Sequence, residues 1–502
     1  MSGPRRWLTL DGSARRLDGG RVLLGGSPLR LFRLTEAGAR LVDQIEAGEA
    51  VASNPLVDRL LESGVVHPAV LSHRIFDDSA GLSHRIFDDS AGEGPTSSQV
   101  SVVMPVFGTG EGLGERIRRL GDVAEVVVVD DHSPVPLAAP EGARLIRHEA
   151  NRGPGPARQT GLGAISTPLV AFVDDDVELP DSWLAPLLAH LADPAVVAVA
   201  PRIAGAPGPG RLARYDAAHG ALDLGTAPAP VRARSRVAYV PTAVLVARAE
   251  AVRAVGGFDP ALRTGEDVDL IWRLTEAGGR IRYEPAVVVH HRPRETLSAW
   301  LHQRAGYGRS AAPLARRHPG ALTPVAVSSW SAAAWAIGAL GAPAAGVAVA
   351  LGSALALPRK LRGSLRHPVA ESLRLAGRGH LFAGRQLANA VTRTWWPLAI
   401  VAAVTSRRAR RAVAMAALLP PFLDWLKQRP PLDPASYVGL RLLDDLAYGA
   451  GVWRGMLAER TVAPIVPDLT SWPGRGTYET RASRPPAAAT GRTAPTAAAD
   501  DS

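Results

Sequence analysis

At 502 residues with no cysteine, the chain is long enough for two or three domains and can form neither a disulfide framework nor a thiolate metal centre. Any metal must sit on Asp, Glu, His or carbonyl oxygen, a donor set that favours hard cations. Against 47 Asp and Glu stand 57 Lys and Arg, a net charge of +10; Arg is spread along the whole chain without interleaved aromatics, which fits an anionic membrane surface better than nucleic acid.

The opening MSGPRRWLTLDGSARRLDGG carries basic residues but no apolar core behind them, so no secretory signal is expected and the soluble part is placed in the cytoplasm. Residues 20 to 70 read as a hairpin with a Gly-Gly turn followed by two amphipathic helices, the pattern of a small winged-helix module over residues 1–70. Nine Arg against eight acids leave this stretch without the basic face that DNA reading requires, so contact with a peptide or a partner protein is expected. A linker, 71–99, follows. It contains LSHRIFDDSAG twice in tandem, too few copies for a solenoid and read as a slipped duplication; His73, Asp77, His84 and Asp88 are weak metal candidates within it.

From Val100 the pattern changes to strand, loop and helix units. VSVVMPV, VVVVDDHS and PLVAFVDDD are apolar strands, with GLGERIRRLG and SWLAPLLAHLA as helices between them, predicting an α/β domain over 100–318 built on a parallel sheet with helices on both faces. Ligands bind beyond the carboxyl ends of such strands. From Ala321 to Pro358 no charged residue appears, Gly341-Ala342-Pro343 interrupts the run, and basic residues flank it. That arrangement suits either a hairpin of two short membrane segments or a buried or interfacial helical pair. TWWPLAIVAAV and AVAMAALLPPFLDWL follow as helices on or near a membrane, completing a helical region over 319–465. An Ala, Thr, Pro and Arg-rich tail over 466–502 reads as disordered.

Three acidic clusters fall at strand ends or Gly turns: Asp130 and Asp131; Asp174, Asp175 and Asp176; and Glu266 with Asp267 at the start of a helix. One such pair reads as a helix cap or a solvated turn; three in order do not. Crowded carboxylates raise one another's pKa unless a cation sits among them, and a divalent ion with oxygen ligands takes phosphates as its remaining partners. The expectation is a metal diphosphate, with Arg158 at the start of a helix whose free N–H groups also favour anions.

In this order and spacing, VSVVMPVFG, VVVVDDHSP, NRGPGPARQTGL, AFVDDDVELP and GGFDPALRTGEDVDLIWRLTEAGGRIRYEPAVVVHH resemble the inverting family 2 glycosyltransferases with a GT-A fold. The resemblance implies a divalent cofactor, Mn2+ or Mg2+, and a UDP-sugar donor. It sets Pro105 and Val106 beneath the nucleotide, Asp130 on the uracil, Arg158 near base and diphosphate, and Asp174 and Asp176 as the outer members of the D-x-D, Asp176 on the metal. Asp175 supports the nucleotide-sugar side, and Asp267 is the general base. His290 or His291 supplies a further metal ligand, and Glu266, Gln303 and Arg304 line the acceptor side. PVFG stands where relatives have P-x-Y-N, and HQRAGYG matches the acceptor motif of processive synthases only in part. With its PqqD-type N-terminal module and helical tail, the whole arrangement resembles the glycosyltransferase family of mycofactocin biosynthetic clusters. That implies glucose transfer from UDP-glucose to a ribosomal-peptide-derived acceptor, building a short β-1,4-glucan at the cytoplasmic face of the membrane. The alternative is a cell-envelope transferase placing rhamnose, mannose or galactofuranose on a lipid-linked acceptor.

Overall fold

The computed structural model describes residues 5–69, 94–361 and 365–470. The tandem duplication, with His73, Asp77, His84 and Asp88, lies outside the described residues, as does the tail from 471.

Strand-forming residues of the α/β domain are apolar at nearly every position because both faces of their sheet are covered. In Val100–Val106, Val100, Val102, Met104 and Val106 enter one buried cluster and Val103 enters the other; Val126 and Val128 oppose Val127 and Val129 in the same way. The sheet is nine-stranded among the described residues. Its order is Arg144–Arg147, Glu125–Asp130, Val100–Val106, Leu169–Val173, Val244–Arg248, Val196–Gly205, Arg280–His291 and Val177–Glu178, with Ala229–Pro230 pairing on Arg280–His291.

The expected parallel sheet is therefore a mixed one. Val244–Arg248 runs antiparallel to both Leu169–Val173 and Val196–Gly205. The chain enters it from Ala229–Pro230 through a segment without a helix, and only a long crossover returns a strand in parallel.

The N-terminal module has its own core, built from Leu23, Val42, Ile45, Val57, Leu60 and Leu61 among others. Its two helices are Glu36–Glu46 and Pro55–Ser63. Thr35 caps the first; Asn54 caps the second by accepting from Leu56 N and Val57 N, and Gly64 ends it at φ +69. A Cβ on Gly64 would also stand 3.0 Å from Pro230 of the catalytic domain, so glycine answers both the turn and the close approach.

Charge pairs join module and catalytic domain: Arg280 to Glu62 at 2.8 Å, Arg6 to Asp193 at 3.2 Å, and Arg236 to Asp11 at 2.8 Å. The Asp11 carboxylate is buried and also meets His67 Nε2 at 2.9 Å and Ser13 N at 2.9 Å. Burial opposes its charge, yet the bonds from His67, Arg236 and Ser13 win and hold its pKa far below the ordinary value. A depressed carboxyl stabilises the fold above its unfolded pKa and loses that contribution as pH falls below 3.8. Asp11→Ala is expected to cost about 3 kcal/mol, read as a lower denaturation midpoint at neutral pH, with the difference from wild type closing in acid.

The C-terminal region is helical: Ser329–Ala339, Pro343–Leu361, Pro368–Arg393, Trp396–Thr405, Arg407–Gln428 and Pro434–Glu459. No helix among the described residues is long and apolar enough to cross a membrane, which removes the spanning-hairpin reading of 321–358. Ser329–Ala339 has 11 residues, about 16 Å against a hydrocarbon core of about 30 Å, and the 19-residue Pro343–Leu361 is built largely of Ala and Gly. The last helix lies on Leu297–Arg309 with backbones almost touching: a Cβ on Gly308 would fall 1.9 Å from Tyr448 O, and one on Gly451 1.9 Å from Ala305 O. Order continues past 465, because Asp468–Thr470 pairs in parallel with Ala326–Ser328. The expected disordered tail thus starts too early at 466.

Candidate active site

Parallel register aligns the polar residues at one edge of the sheet. Val106 stands opposite Asp130, Phe172 opposite Val103, and Asp174 N donates to Ala243 O at 2.8 Å just beyond its strand. Pro105, Val106 and the acidic residues 130 and 174–176 therefore share the carboxyl edge, with Asp130 two strand spacings, roughly 10 Å, from Asp174.

Asp130 is wholly buried and both its oxygens are taken. Oδ1 accepts from Ser133 N at 2.8 Å; Oδ2 accepts from Leu137 N at 3.4 Å and from Arg147 Nη1. Burial favours its neutral form, but these bonds prevail and keep its pKa below the ordinary value. As placed, Asp130 shapes the loop after its strand and offers no free oxygen to a uracil. Asp131 accepts from Arg152 N and Gly153 N and meets His148 Nδ1 at 2.8 Å, fixing the loop ahead of helix Pro154–Ala164.

Arg158, on this helix, is only 3% exposed and spans two acidic clusters: Nη2 donates to Asp174 Oδ1 at 2.5 Å and Nη1 to Glu266 Oε1 at 3.0 Å. Desolvation opposes its charge, but Asp174, Glu266 and Asp267 outweigh that and raise its pKa. The guanidinium expected at the diphosphate is thus committed to carboxylates, and Glu266, expected at the acceptor, is buried in the same bridge. Burial first, then the neighbouring Asp267 charge, push the Glu266 carboxyl up to about 7.

Asp174, Asp175 and Asp176 crowd one turn. Burial and the flanking Asp176 and Asp174 charges push Asp175 up to about 7. Asp176 Oδ2 lies 3.3 Å from His291 Nε2; burial alone would raise Asp176, but this contact lowers its pKa while raising that of His291. The short strand Val177–Glu178 sets the pair, matching Val177 to His291 and Glu178 to His290. Neighbours on a strand face opposite ways, so His291 stands with Asp176 and His290 does not share that face. His290 leaves the candidate metal set.

Among the described residues no group of three or more His, Asp or Glu side chains is arranged to hold a metal. Asp176 and His291 are two ligands of the right kind, and three mutually repelling carboxyls are what a divalent cation relieves. This donor set fits an ion whose other positions go to phosphate oxygen and water.

Asp267 opens the helix Glu266–Glu276. Its Oδ1 accepts from Val268 N at 2.8 Å, and burial, opposed in part by Arg158, raises its pKa. A carboxylate bound only to its own helix is suited to take a proton. Gln303 lies on Leu297–Arg309 beside His291, whereas Arg304 is 3% exposed and pinned to Asp216 at 2.6 Å and Asp444 at 3.3 Å. Arg304 therefore ties this domain to the last helix while lining the same groove as Gln303 and His291.

One residue that the sequence reading left without a role stands out. Phe107, just past Val106 at the carboxyl edge of the sheet, is 57% exposed. The signal was in PVFG, an aromatic one place beyond the strand end. Phe107→Ala is expected to raise KM for the sugar nucleotide about tenfold with little change in kcat, since base stacking on an aromatic contributes roughly 1–3 kcal/mol; unchanged KM removes Phe107 from the base site.

The model of Glycosyl transferase family 2 matches residues 101–247. The chain is 40% identical over 479 residues to the pre-mycofactocin glycosyltransferase of Mycobacterium tuberculosis, in strains CDC 1551/Oshkosh and ATCC 25618/H37Rv, covering 92% of this chain and 97% of that protein. Among solved structures, it is similar to a mannosyltransferase of Pyrobaculum calidifontis in complex with GDP-Man and Mn2+, at 22% identity and TM-score 0.32 over 56% of this chain and 87% of that one.

Proposed function

This chain belongs to the family of pre-mycofactocin glycosyltransferases, and from that premise we propose that it moves glucose from UDP-glucose, with inversion, to a hydroxyl of a ribosomal-peptide-derived acceptor, building a short β-1,4-glucan. The observation that carries the reading is the Asp174–Arg158–Glu266 bridge, which fastens the acidic strand end to the helix start bearing Asp267.

In this reading Asp267 accepts the proton of the acceptor hydroxyl as its oxygen attacks the anomeric carbon from the face opposite UDP. A single displacement of this kind inverts the centre. Asp176 and His291 would hold a divalent ion, which when bound would supply charge neutralisation for the departing diphosphate. Arg158 keeps Asp174 and Glu266 in place, and Phe107 covers the base. The domain is a GT-A fold, and the N-terminal module is a winged-helix, PqqD-like unit that contacts peptide.

The full-length protein is tested with UDP-glucose, manganese and the peptide-derived acceptor, following acceptor mass and released UDP. Gains in hexose steps with equal UDP support the reading, and absence of any hexose gain overturns it. A second reading is favoured by the apolar residues exposed on the C-terminal helices, among them Leu381, Phe382, Val401 and Val404: a cell-envelope transferase acting on a lipid-linked acceptor. Rhamnose, mannose or galactofuranose appearing on such an acceptor, and no glucose on the peptide-derived one, decides for it.

The same surface supports a place at the cytoplasmic face of the membrane. Exposed Val401, Val404 and Leu418 flank the exposed cations Arg407, Arg408, Arg410 and Arg411. The protein is expected to sediment with vesicles containing anionic phosphatidylserine and to be released by high salt; equal recovery with and without vesicles removes the membrane from the proposal.

A further inference from the structure

The seam between the N-terminal module and the α/β domain gathers more positive charge than its own carboxylates answer. Pro230 stands opposite Arg282, and Val231 N donates to Ile281 O at 3.0 Å, so the same antiparallel register carried two residues on sets Arg232 beside Arg280. The module meets this hairpin with a turn of its own. Gly25 and Arg30 close that turn, and its Ser27 Oγ accepts from Arg236 N at 2.7 Å. Arg30 and Arg232 thereby approach the seam from opposite sides.

The acids of the seam are already shared out. Asp193 meets Arg6 at 3.2 Å, Glu62 meets Arg280 at 2.8 Å, and Asp58 lies 3.9 Å from the first arginine and 4.0 Å from the second. Among the described residues, Arg30, Arg232 and Arg282 make no ion pair with a carboxylate. Arg282 is only 4% exposed; its Nε has no hydrogen-bond partner, and its Nη1 reaches Leu61 O at a long 3.4 Å. That carbonyl lies in the last turn of helix Pro55–Ser63 and carries part of a negative charge, too little for a whole guanidinium. Burial first, then Arg280, push Arg282 down to about 10; burial followed by Arg30 holds the half-buried Arg232 below its ordinary value.

Like charges from two domains repel across a seam that the fold nevertheless closes, and a buried cation without a counter-charge is strongly unfavourable. A guanidinium presents a flat fork of N–H donors, which carboxylate and phosphate oxygens accept two at a time. An oxyanion at this place balances Arg30 and Arg232 and lowers the cost of burying Arg282 behind them. Sugar hydroxyls and cations do neither.

We propose that the seam is a binding site for an oxyanion, held between Arg30 of the module and Arg232 of the α/β domain, with Arg282 as the buried charge behind it. Gripped from both sides, the ligand fastens the module to the domain; without it the three cations push the two apart. A free phosphate and the carboxylate of an acidic peptide present the same oxygens to these arginines, and the test separates them. The site is independent of the sugar transfer proposed above, because it is read by binding alone.

Binding is measured by isothermal titration calorimetry on the full-length protein without sugar nucleotide. The probes are inorganic phosphate and, separately, acetylated and amidated tetraglutamate, with sodium chloride at matched ionic strength as the control. Arg30→Gln and Arg232→Gln each remove one cation that makes no ion pair with a carboxylate, and melting temperatures establish that both variants are folded. The expected result is saturable one-to-one binding of at least one probe, weakened about tenfold in each variant, the scale of one lost charge-assisted hydrogen bond. Binding of phosphate with no response to tetraglutamate identifies a small free oxyanion as the ligand; binding of tetraglutamate alone identifies a peptide carboxylate. No saturable binding of either probe, the same heats from chloride, or an affinity unchanged in either variant overturns the site.

Discussion

Asp267→Asn is expected to lower transfer turnover by about 10²- to 10⁴-fold, the usual contribution of a general base, while UDP affinity stays within about twofold of wild type. Asn keeps the shape of Asp and can still accept from Val268 N, so the helix start is preserved. What disappears is the only feature the acceptor proton needs, an anionic oxygen not already paired with a cation. The pH profile carries a sign of its own. Burial raises the Asp267 pKa, and only the deprotonated form accepts a proton. Wild-type turnover should therefore fall on the acid side at a pH above the ordinary Asp value of 3.8, and that limb should be absent from the residual activity of the Asn variant. Turnover within threefold of wild type would show that another group takes the proton.

The sequence made the catalytic edge legible because two independent regularities coincide there. Runs such as VSVVMPV and PLVAFV are apolar at nearly every position, which predicts buried strands, and an acid placed directly after a strand must stand at its end. Pairing decisions were not legible. Arg158 could be placed near anions by position, but whether they belong to substrate or protein depends on Glu266 arriving from 108 residues away. His290 and His291 were equivalent until Val177 was matched to His291, since a one-residue slip exchanges their faces.

Composition also misled in the C-terminal region. A charge-free, Ala-rich run fits a membrane hairpin and a packed helical pair equally, and here its helices are too short or too weakly apolar to span. The close seating of Gly308 and Gly451, by contrast, needs the partner backbone before glycine can be given a reason. The ion pairs of Arg304 were hidden for the same cause: its partners Asp216 and Asp444 come from opposite sides in the sequence and meet only on folding.

Arg158→Met should be the most damaging single change to both fold and activity. The substitution keeps the volume and apolar stem but leaves Asp174 and Glu266 without their shared cation. Breaking one side of a buried ion pair costs about 3–5 kcal/mol, and here two carboxylates lose the same partner. The pH dependence follows from the direction of the shifts. Glu266 already titrates near 7, raised first by burial and then by Asp267, and Asp174 is raised by burial with Arg158 opposing. Without the arginine both move higher. A raised carboxyl favours the folded state at low pH and loses that contribution as pH rises through its folded value, so the stability gap between variant and wild type should widen from pH 5 to pH 8. Adding Glu266→Gln to Arg158→Met should recover part of the gap by removing one uncompensated charge, a coupling that a double-mutant cycle in urea measures directly. A single variant with the wild-type urea midpoint at pH 8 would mean that solvent already balances those carboxylates, and that Arg158 is free to serve the diphosphate after all.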